Sequence, residues 1–305
     1  MQQIVSDAHS YAARWIGAGK TADYIPQLAK ADAGLLSVCV TDVEGNSFFA
    51  GDSAVRFTMQ SICKVVLLIT ALQDVGFEGV FQKVGMEPTG DPFNSIVRLE
   101  NVSPHRPHNP MINAGAIAVT SCVKGNSADV RFRRLLDTTR LLVGNPLLEY
   151  SEEVYRSELE TGDRNRALAY MMRQGGIITG SVSQHLEVYF KACSILVSCR
   201  EISYLGAVLA NNGVSPRTGE ALIPPGYIKI IRALMCTCGM YDFSGEFALR
   251  VGIPSKSGVG GGIMGAVPNR MGVGVYSPAL DVHGNSLCGV KAMEYLSRVL
   301  ELSIF

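Results

Sequence analysis

Gln60-Ser61-Ile62-Cys63-Lys64 runs directly into Val65-Val66-Leu67-Leu68-Ile69-Thr70-Ala71-Leu72. A helix over this stretch would be apolar nearly all round, which marks a central, buried helix and not an amphipathic one on the surface. Its first turn would carry a hydroxyl, Ser61, and an amine, Lys64, three residues apart. Residues at that spacing share a helix face, with Cβ atoms about 5–6 Å apart. Burial at the head of such a helix disfavours the ammonium form and moves lysine toward a usable base. The backbone N–H groups of a helix N-terminus can stabilise a developing oxyanion. One turn would thus hold a nucleophile, a base and half of an oxyanion hole.

Ser-x-x-Lys recurs at Ser121-Cys122-Val123-Lys124, in the opposite context. The apolar residues Ile117, Ala118 and Val119 precede it and Gly125-Asn126 follows. That order predicts a helix end, with Lys124 in the last turn facing the dipole and Gly125 as the C-cap. Ser121 and Lys124 therefore read as structural. Spacing alone also fits an ordinary N-cap serine at Ser61 followed by a chance lysine, so the rest of the chain has to decide.

Outward from that stretch, residues 1–20 carry a helical pattern (Ile4, Ala8, Tyr11, Trp15), and Tyr24-Ile25-Pro26-Gln27-Leu28 reads as a loop. Residues 36–40 alternate like a strand and turn at Glu44-Gly45-Asn46 into a second strand at 47–50. Between about 76 and 200 strands are scarce. Loops are predicted at Asp91-Pro92-Phe93-Asn94 and at 104–110, where prolines punctuate the chain before Asn113-Ala114-Gly115-Ala116 opens another helix. Helical patterns follow over 130–142, 153–159, 166–172 and 182–197. The polar run Ser157-Glu158-Leu159-Glu160-Thr161-Gly162-Asp163-Arg164-Asn165 reads either as a capped helix–helix junction or as a binding segment. A helix over 227–238 ends at Gly239, 240–245 is a turn, and a strand opened by 254–259 returns through Pro268-Asn269 to a last strand at 271–276. Asn285-Ser286 caps a closing helix. The pattern predicts an α+β fold: one domain over 1–305, with an antiparallel sheet flanked by helices, an α/β part (about 1–75 and 200–305) and a helical part (about 76–199).

Composition narrows the function classes. Lys+Arg and Asp+Glu are 27 each, so no global field favours nucleic acid or an anionic membrane. The start lacks the basic-then-apolar order of a signal peptide, and no apolar run reaches the ~18 residues of a membrane span. Eight cysteines in a chain this long do not make a disulfide framework, and a reducing cytoplasm suits them. Cys236-Thr237-Cys238 has no second Cys/His pair at ligand spacing, and His105 and His108 stand in the proline-rich loop, so no metal and no cofactor is expected. Gly260-Gly261-Gly262-Ile263-Met264-Gly265 satisfies G-x-G-x-x-G, but Pro268 and a strand follow where a dinucleotide fold needs a helix. Glycines there fit close approach of another backbone or a ligand.

Ser61-x-x-Lys64 on a buried helix and Lys256-Ser257-Gly258 on a late strand are two of the three motifs of serine β-lactamases and penicillin-binding proteins. The third, Ser-x-Asn or Tyr-x-Asn, does not occur in the chain, which argues against a penicillin-processing enzyme. The sequence instead resembles the serine-dependent glutaminases, which use a β-lactamase-like fold. The resemblance runs nearly the whole chain, through Ala22-Asp23-Tyr24-Ile25-Pro26-Gln27-Leu28, the 60–64 and 157–165 stretches, Asn109-Pro110-Met111-Ile112-Asn113-Ala114-Gly115-Ala116, Cys238-Gly239-Met240-Tyr241 and Lys256-Ser257-Gly258-Val259. Cys63 stands where many relatives carry Ser or another small residue.

The resemblance implies hydrolysis of the side-chain amide of free L-glutamine, with Ser61 as nucleophile and Lys64 as its activator. Tyr241, together with Tyr189, would share the proton traffic. It implies an oxyanion site between the backbone N–H groups of Ser61 and Val259, and substrate contacts from Tyr24, Gln60, Asn113, Glu158, Asn165, Tyr189 and Tyr241. A homodimer or homotetramer is expected on the same ground. Structural roles stay open for single residues: Tyr24 and Tyr189 as packing, Asn113 as a helix cap. A β-lactam or peptidoglycan enzyme and a catalytically dead binding protein are the alternatives from other classes.

Overall fold

The computed structural model describes residues 1–89 and 106–305. The loop expected at 91–94, and Pro104 and His105 of the next one, lie outside the described residues.

Among the described residues, five antiparallel strands form the main sheet: β1 (Ser37–Asp42), β2 (Ser47–Gly51), β5 (Ser255–Gly258), β6 (Gly262–Val267) and β7 (Met271–Tyr276), in the order β2-β1-β7-β6-β5. Two short strands, β3 (Phe57–Thr58) and β4 (Leu196–Val197), pair separately. The helices among the described residues are α1 (Gln2–Ala12), α2 (Cys63–Phe81), α3 (Asn113–Thr120), α4 (Ala128–Val143), α5 (Glu152–Thr161), α6 (Asp163–Gln174), α7 (Val182–Cys193), α8 (Cys199–Ala210), α9 (Pro225–Cys238), α10 (Ser244–Arg250) and α11 (Leu287–Leu300). The fold is α+β with an antiparallel sheet, as the pattern predicts.

Strand β7 shows how the sheet holds its layers. Val273 and Val275 pack in the core formed with α1 and α11 on one face. Gly272 and Gly274 alternate with them and face α8: a Cβ on Gly272 would stand 2.0 Å from the Ala207 nitrogen, and one on Gly274 2.4 Å from the Cys199 carbonyl. Period-two alternation thus gives β7 one apolar face and one bare face, against which a helix backbone lies directly. Thr41 Oγ1 and Ser203 Oγ, 2.8 Å apart, satisfy each other in that layer.

Helix α8 is not among the sequence expectations. It begins with a capping box in which the Ser198 side chain accepts from the Glu201 N–H and the Glu201 carboxylate accepts from the Ser198 N–H. Three further expectations need correction. The pattern over 182–197 predicts one helix, but α7 stops at Cys193 and Leu196-Val197 pairs with β3. The stretch from 254 to 267 predicts one strand, but it is two, β5 and β6, turned at Gly261 (φ +98°). Residues 240–245 predict a turn only, whereas Tyr241–Phe243 is a 3-10 turn and Ser244 opens α10.

Helix α2 is the buried helix that its composition predicts. Every residue from Cys63 to Leu72 is at most 1% exposed, and the helix breaks at Gly76 (φ +71°). Its partners α3, α4 and α9 cover the Cys63–Leu72 segment all round, whereas Val75 and Phe77 beyond it are exposed. Truncating Leu68 to Ala in such a site would cost about 2–5 kcal/mol.

Candidate active site

Ser61 sits in a 3-10 turn, Gln60–Ile62, that feeds α2 at Cys63. The expected first α-helical turn is therefore wound tighter, and Ser61 lies just ahead of the α-helix proper. The turn begins at Gln60 with φ +47°, a left-handed value for a residue with a Cβ. Such strain persists only where surrounding contacts over-determine it. Here a Cβ on Gly258 would stand 2.6 Å from the Met59 carbonyl, and one on Gly260 2.9 Å from the Thr58 carbonyl. The glycines after Lys256 thus let the β5–β6 hairpin press on the backbone that carries Ser61, which is the close approach expected of them. Met59 is held from the other side, its N–H donating to the Ile195 carbonyl at 2.8 Å.

Lys64 is fully buried beneath Ser61, and its Nζ donates to Asn113 Oδ1 at 2.7 Å. Burial lowers its amine to about 8, against weaker upward pulls from Cys193, Cys63 and Glu158. Asn113, the first residue of α3, is a junction and not a cap. Its Oδ1 also accepts from the Tyr189 hydroxyl at 3.3 Å, and its Nδ2 donates to Asn165 Oδ1 at 3.0 Å. Residues from α2, α3, α6 and α7 thus form one chain of polar contacts.

Above this chain opens a cavity of about 330 Å³. Tyr24, Gln60, Ser61, Asn113, Glu158, Asn165, Tyr189 and Val259 all line it. Lys64 lies under the floor. Tyr241 stands behind Ser61, where burial raises its phenol and a hydrogen bond with Ser61 pulls the other way. Its hydroxyl also donates to the Ser257 carbonyl at 3.3 Å. Tyr241 carries the second left-handed backbone in the site, φ +57°, pinned by Ser244 Oγ donating to the Tyr241 carbonyl at 2.8 Å. Ile25, Thr161, Gly162, Arg164 and Cys193 complete the lining; none was singled out in the sequence, though Thr161, Gly162 and Arg164 belong to its polar run. A separate cavity of about 550 Å³, with Arg140, Tyr204 and Arg217 in its walls, holds none of the expected residues.

The polar run 157–165 is both junction and cavity wall. Glu158 opens the last turn of α5, Gly162 joins α5 to α6, and Asn165 lies in the first turn of α6. A Cβ on Gly162 would stand 2.6 Å from the Phe190 ring, so only glycine lets this junction close on α7. Glu158 is 7% exposed, and burial pushes its carboxyl up to about 7, against the opposing pull of a hydrogen bond from Gln60 and the nearby Lys64 charge. Tyr24 is half exposed as a residue, but burial raises its phenol, with Tyr241 and Glu158 adding to the effect.

The second lysine of the motifs, Lys256, does not line the cavity. It is fully buried, and its Nζ donates to the carbonyls of Gly239 (2.9 Å) and Ser257 (2.8 Å) beneath the Tyr241 ring. Ser121 and Lys124 do not line the cavity either. Helix α3 ends at Thr120, so Lys124 stands beyond the last turn in which it was expected. Ser121 Oγ donates to the Ala118 carbonyl (2.7 Å) and accepts from Lys83 (2.9 Å).

Residues 19–305 match the family model for glutaminase. The chain belongs to the glutaminase family, a family of amidohydrolases. It is 53% identical to a glutaminase of Alkaliphilus oremlandii over 290 residues, covering 95% of each chain, and 51% identical to one of Clostridium tetani over 305 residues, covering all of this chain and 98% of that one. Among solved structures, the probable glutaminase ybaS superposes with a TM-score of 0.95 at 39% identity, covering 100% of this chain and 97% of that one. A probable glutaminase from Bacillus subtilis, complexed with 6-diazo-5-oxo-L-norleucine, superposes with a TM-score of 0.90 at 38% identity, over 100% and 96% of the two chains. The fold is the β-lactamase-like one of these bacterial glutaminases. Among the described residues, no helix is long and apolar enough to cross a membrane, and no three His, Cys, Asp or Glu side chains are grouped to hold a metal.

Proposed function

We propose that the chain hydrolyses the side-chain amide of free L-glutamine to L-glutamate and ammonia through an acyl-enzyme on Ser61. Family membership supports the activity. The observation that carries the mechanism is the fully buried Lys64 amine, held near 8 directly beneath a cavity that Ser61 lines.

Near neutral pH a useful fraction of Lys64 is the free amine, which can accept the Ser61 proton as Oγ attacks the amide carbon. Tyr241, bonded to Ser61, relays that proton, and Tyr189 holds the Asn113 end of the lysine contact. The carbonyl oxygen turns to an oxyanion toward the backbone N–H groups of Ser61 and Val259. Collapse of the tetrahedral species breaks the C–N bond, and the proton leaves on ammonia. Water then attacks the ester with the same base, releasing glutamate and restoring Ser61. Glu158 meets the α-ammonium, and an ammonium beside it draws its raised carboxyl back to the ionised form. Tyr24, Gln60, Asn165 and Asn113 offer the amide and phenol donors suited to the α-carboxylate. The same reading needs no cofactor and has the enzyme acting in the cytoplasm as a homodimer or homotetramer, which light scattering checks.

The test is ammonia release from glutamine by the purified protein. Equimolar ammonia and glutamate are expected, with no turnover of the β-lactam nitrocefin. No release from glutamine, or rapid nitrocefin cleavage, would overturn the reading.

A further inference from the structure

Two thiols stand at this site that the hydrolysis does not use. Cys63 is the first residue of α2, between Ser61 and Lys64, and Cys193 is the last residue of α7 and lines the cavity. Their sulfurs are 3.9 Å apart and unbridged. We propose that Cys63 and Cys193 are an oxidation-sensitive dithiol, which a hydroperoxide entering the substrate cavity converts to a disulfide that stops turnover.

The geometry supports this in three ways. The sulfurs need to close from 3.9 Å to about 2.05 Å. Both residues sit at helix ends, where one terminal turn can yield without disturbing the rest of the helix. The cavity also selects the oxidant: its roughly 330 Å³ admits hydrogen peroxide or a small organic hydroperoxide to Cys193 more readily than a bulky peptide disulfide.

The chemistry balances with that one reagent. Cys193 Sγ, as thiolate, attacks a peroxide oxygen; an S–O bond forms, the O–O bond breaks, and water (or, from an organic hydroperoxide, the alcohol) leaves with the thiol proton. Cys63 Sγ then displaces hydroxide from the sulfenic acid; the S–S bond forms, the S–O bond breaks, and the second proton leaves in a second water. The two thiols lose the two electrons that the peroxide gains. The hydrogen bond shared with Cys63, together with burial, keeps Cys193 protonated while the Lys64 charge opposes them, so oxidation quickens with rising pH. The consequence for turnover follows from what the sulfurs touch. Cys193 shares a hydrogen bond with Tyr189, and Tyr189 donates to the Asn113 oxygen that holds Lys64. Drawing Cys193 toward Cys63 pulls on that chain and on the turn carrying Ser61.

The molecule contains its own control. Cys39 and Cys199 also share a hydrogen bond, but they are buried between β1 and α8 and do not line the substrate cavity.

The test exposes the purified enzyme to hydrogen peroxide, alkylates the remaining thiols, and maps peptides by mass spectrometry alongside ammonia release. The expected result is a Cys63–Cys193 cross-linked peptide pair, an activity loss of about tenfold or more that dithiothreitol reverses, Cys39 and Cys199 still alkylated, and slower oxidation with the cavity filled by glutamate. Cys63→Ser should remain active and form no cross-link, with its Cys193 sulfenic acid trapped by dimedone; Cys193→Ala should form no cross-link either. Reversible activity loss without the cross-link, or equal oxidation of Cys39 and Cys199, would overturn the proposal. The loss of activity rests on the substrate cavity being as proposed above, but the cross-link is read by mass. A protein that forms it yet releases no ammonia would refute that reading and leave the dithiol standing.

Discussion

Ser61-Ile62-Cys63-Lys64 and Ser121-Cys122-Val123-Lys124 share a pattern and almost nothing else. The first leads into a helix buried on every side from Cys63 to Leu72, where Lys64 has no solvent and Ser61 has a cavity. The second trails out of α3: Ser121 is bonded to a carbonyl and a lysine, and Lys124 is exposed, its backbone N–H donating to Asp74 at 2.9 Å. The chemistry of a serine–lysine pair lies in the desolvation of the amine, and helix polarity decides which pair receives it. Entering a buried helix takes the amine inward; leaving one puts it in water.

The largest expected effect breaks the comparison at the hydroxyls. Ser61→Ala should lower kcat by at least ~10⁴-fold, as loss of a nucleophile does in other covalent hydrolases. Ser121→Ala should stay within a few-fold. Equal losses in two folded variants, by circular dichroism and ammonia release, would mean that context does not separate the pairs.

Next come the amines. Lys64→Arg should lose about 10²–10⁴-fold, because a guanidinium stays protonated and cannot take the serine proton. Lys124→Arg should be neutral. An active Lys64→Arg enzyme would transfer the base role to Tyr241 or water.

A smaller effect tests what the cavity adds to the first pair. A hydrogen bond to a charged group contributes roughly 1.5–3 kcal/mol, about ten- to more than a hundredfold in affinity. Glu158→Gln should therefore weaken glutamine mainly through KM or kcat/KM. The wild-type preference for glutamine over N-acetyl-glutamine, which lacks the ammonium, should shrink in the variant. If both substrates lose the same factor, Glu158 supports the fold or the chemistry and does not read the amino group.

The pH profile sharpens the same point. Activity needs Glu158 ionised and Lys64 neutral, so kcat/KM should rise with pH through apparent values near 7 and 8. These belong to the interacting groups together. Below pH 7 both groups hold an inhibitory proton, so log kcat/KM should climb with a slope of about 2. In Glu158→Gln the slope should fall to about 1. The remaining limb should also move to lower pH, because the Glu158 charge no longer supports the ammonium of Lys64. An unchanged slope would remove Glu158 from the ionisations that matter.

The smallest effect concerns stability. Ser121→Ala gives up two hydrogen bonds on a half-buried side chain, a loss of about 1 kcal/mol read by thermal denaturation.

What the sequence made legible was whatever lies in short contiguous runs. Tyr24, Gln60, Ser61, Asn113, Glu158, Asn165 and Val259 each belong to a short stretch that carries the family resemblance, Tyr189 came with that resemblance alone, and the fold brings all of them to one cavity. What stayed hidden depends on how separate runs meet. Cys193 reaches the wall because α7 stops where the β4 pairing begins, and no local pattern showed that stop. Helix α8 is almost continuously apolar from Ile202 to Ala210, so its period is silent; only the Ser198–Glu201 capping box announces it. Lys256 was visible as a motif letter, but the Gly239 and Ser257 carbonyls that its amine bonds under Tyr241 come from the folded turn.

The central claim is that Ser61, and not Ser121, carries the acyl group. It is tested most directly by incubating the protein with 6-diazo-5-oxo-L-norleucine, a diazo-ketone analogue of glutamine, and locating the covalent adduct by peptide mass spectrometry. One adduct per chain is expected, on the peptide containing Ser61, forming in step with loss of ammonia release and slowed by glutamate. An adduct on Ser121, or inactivation with Ser61 unmodified, would contradict the account.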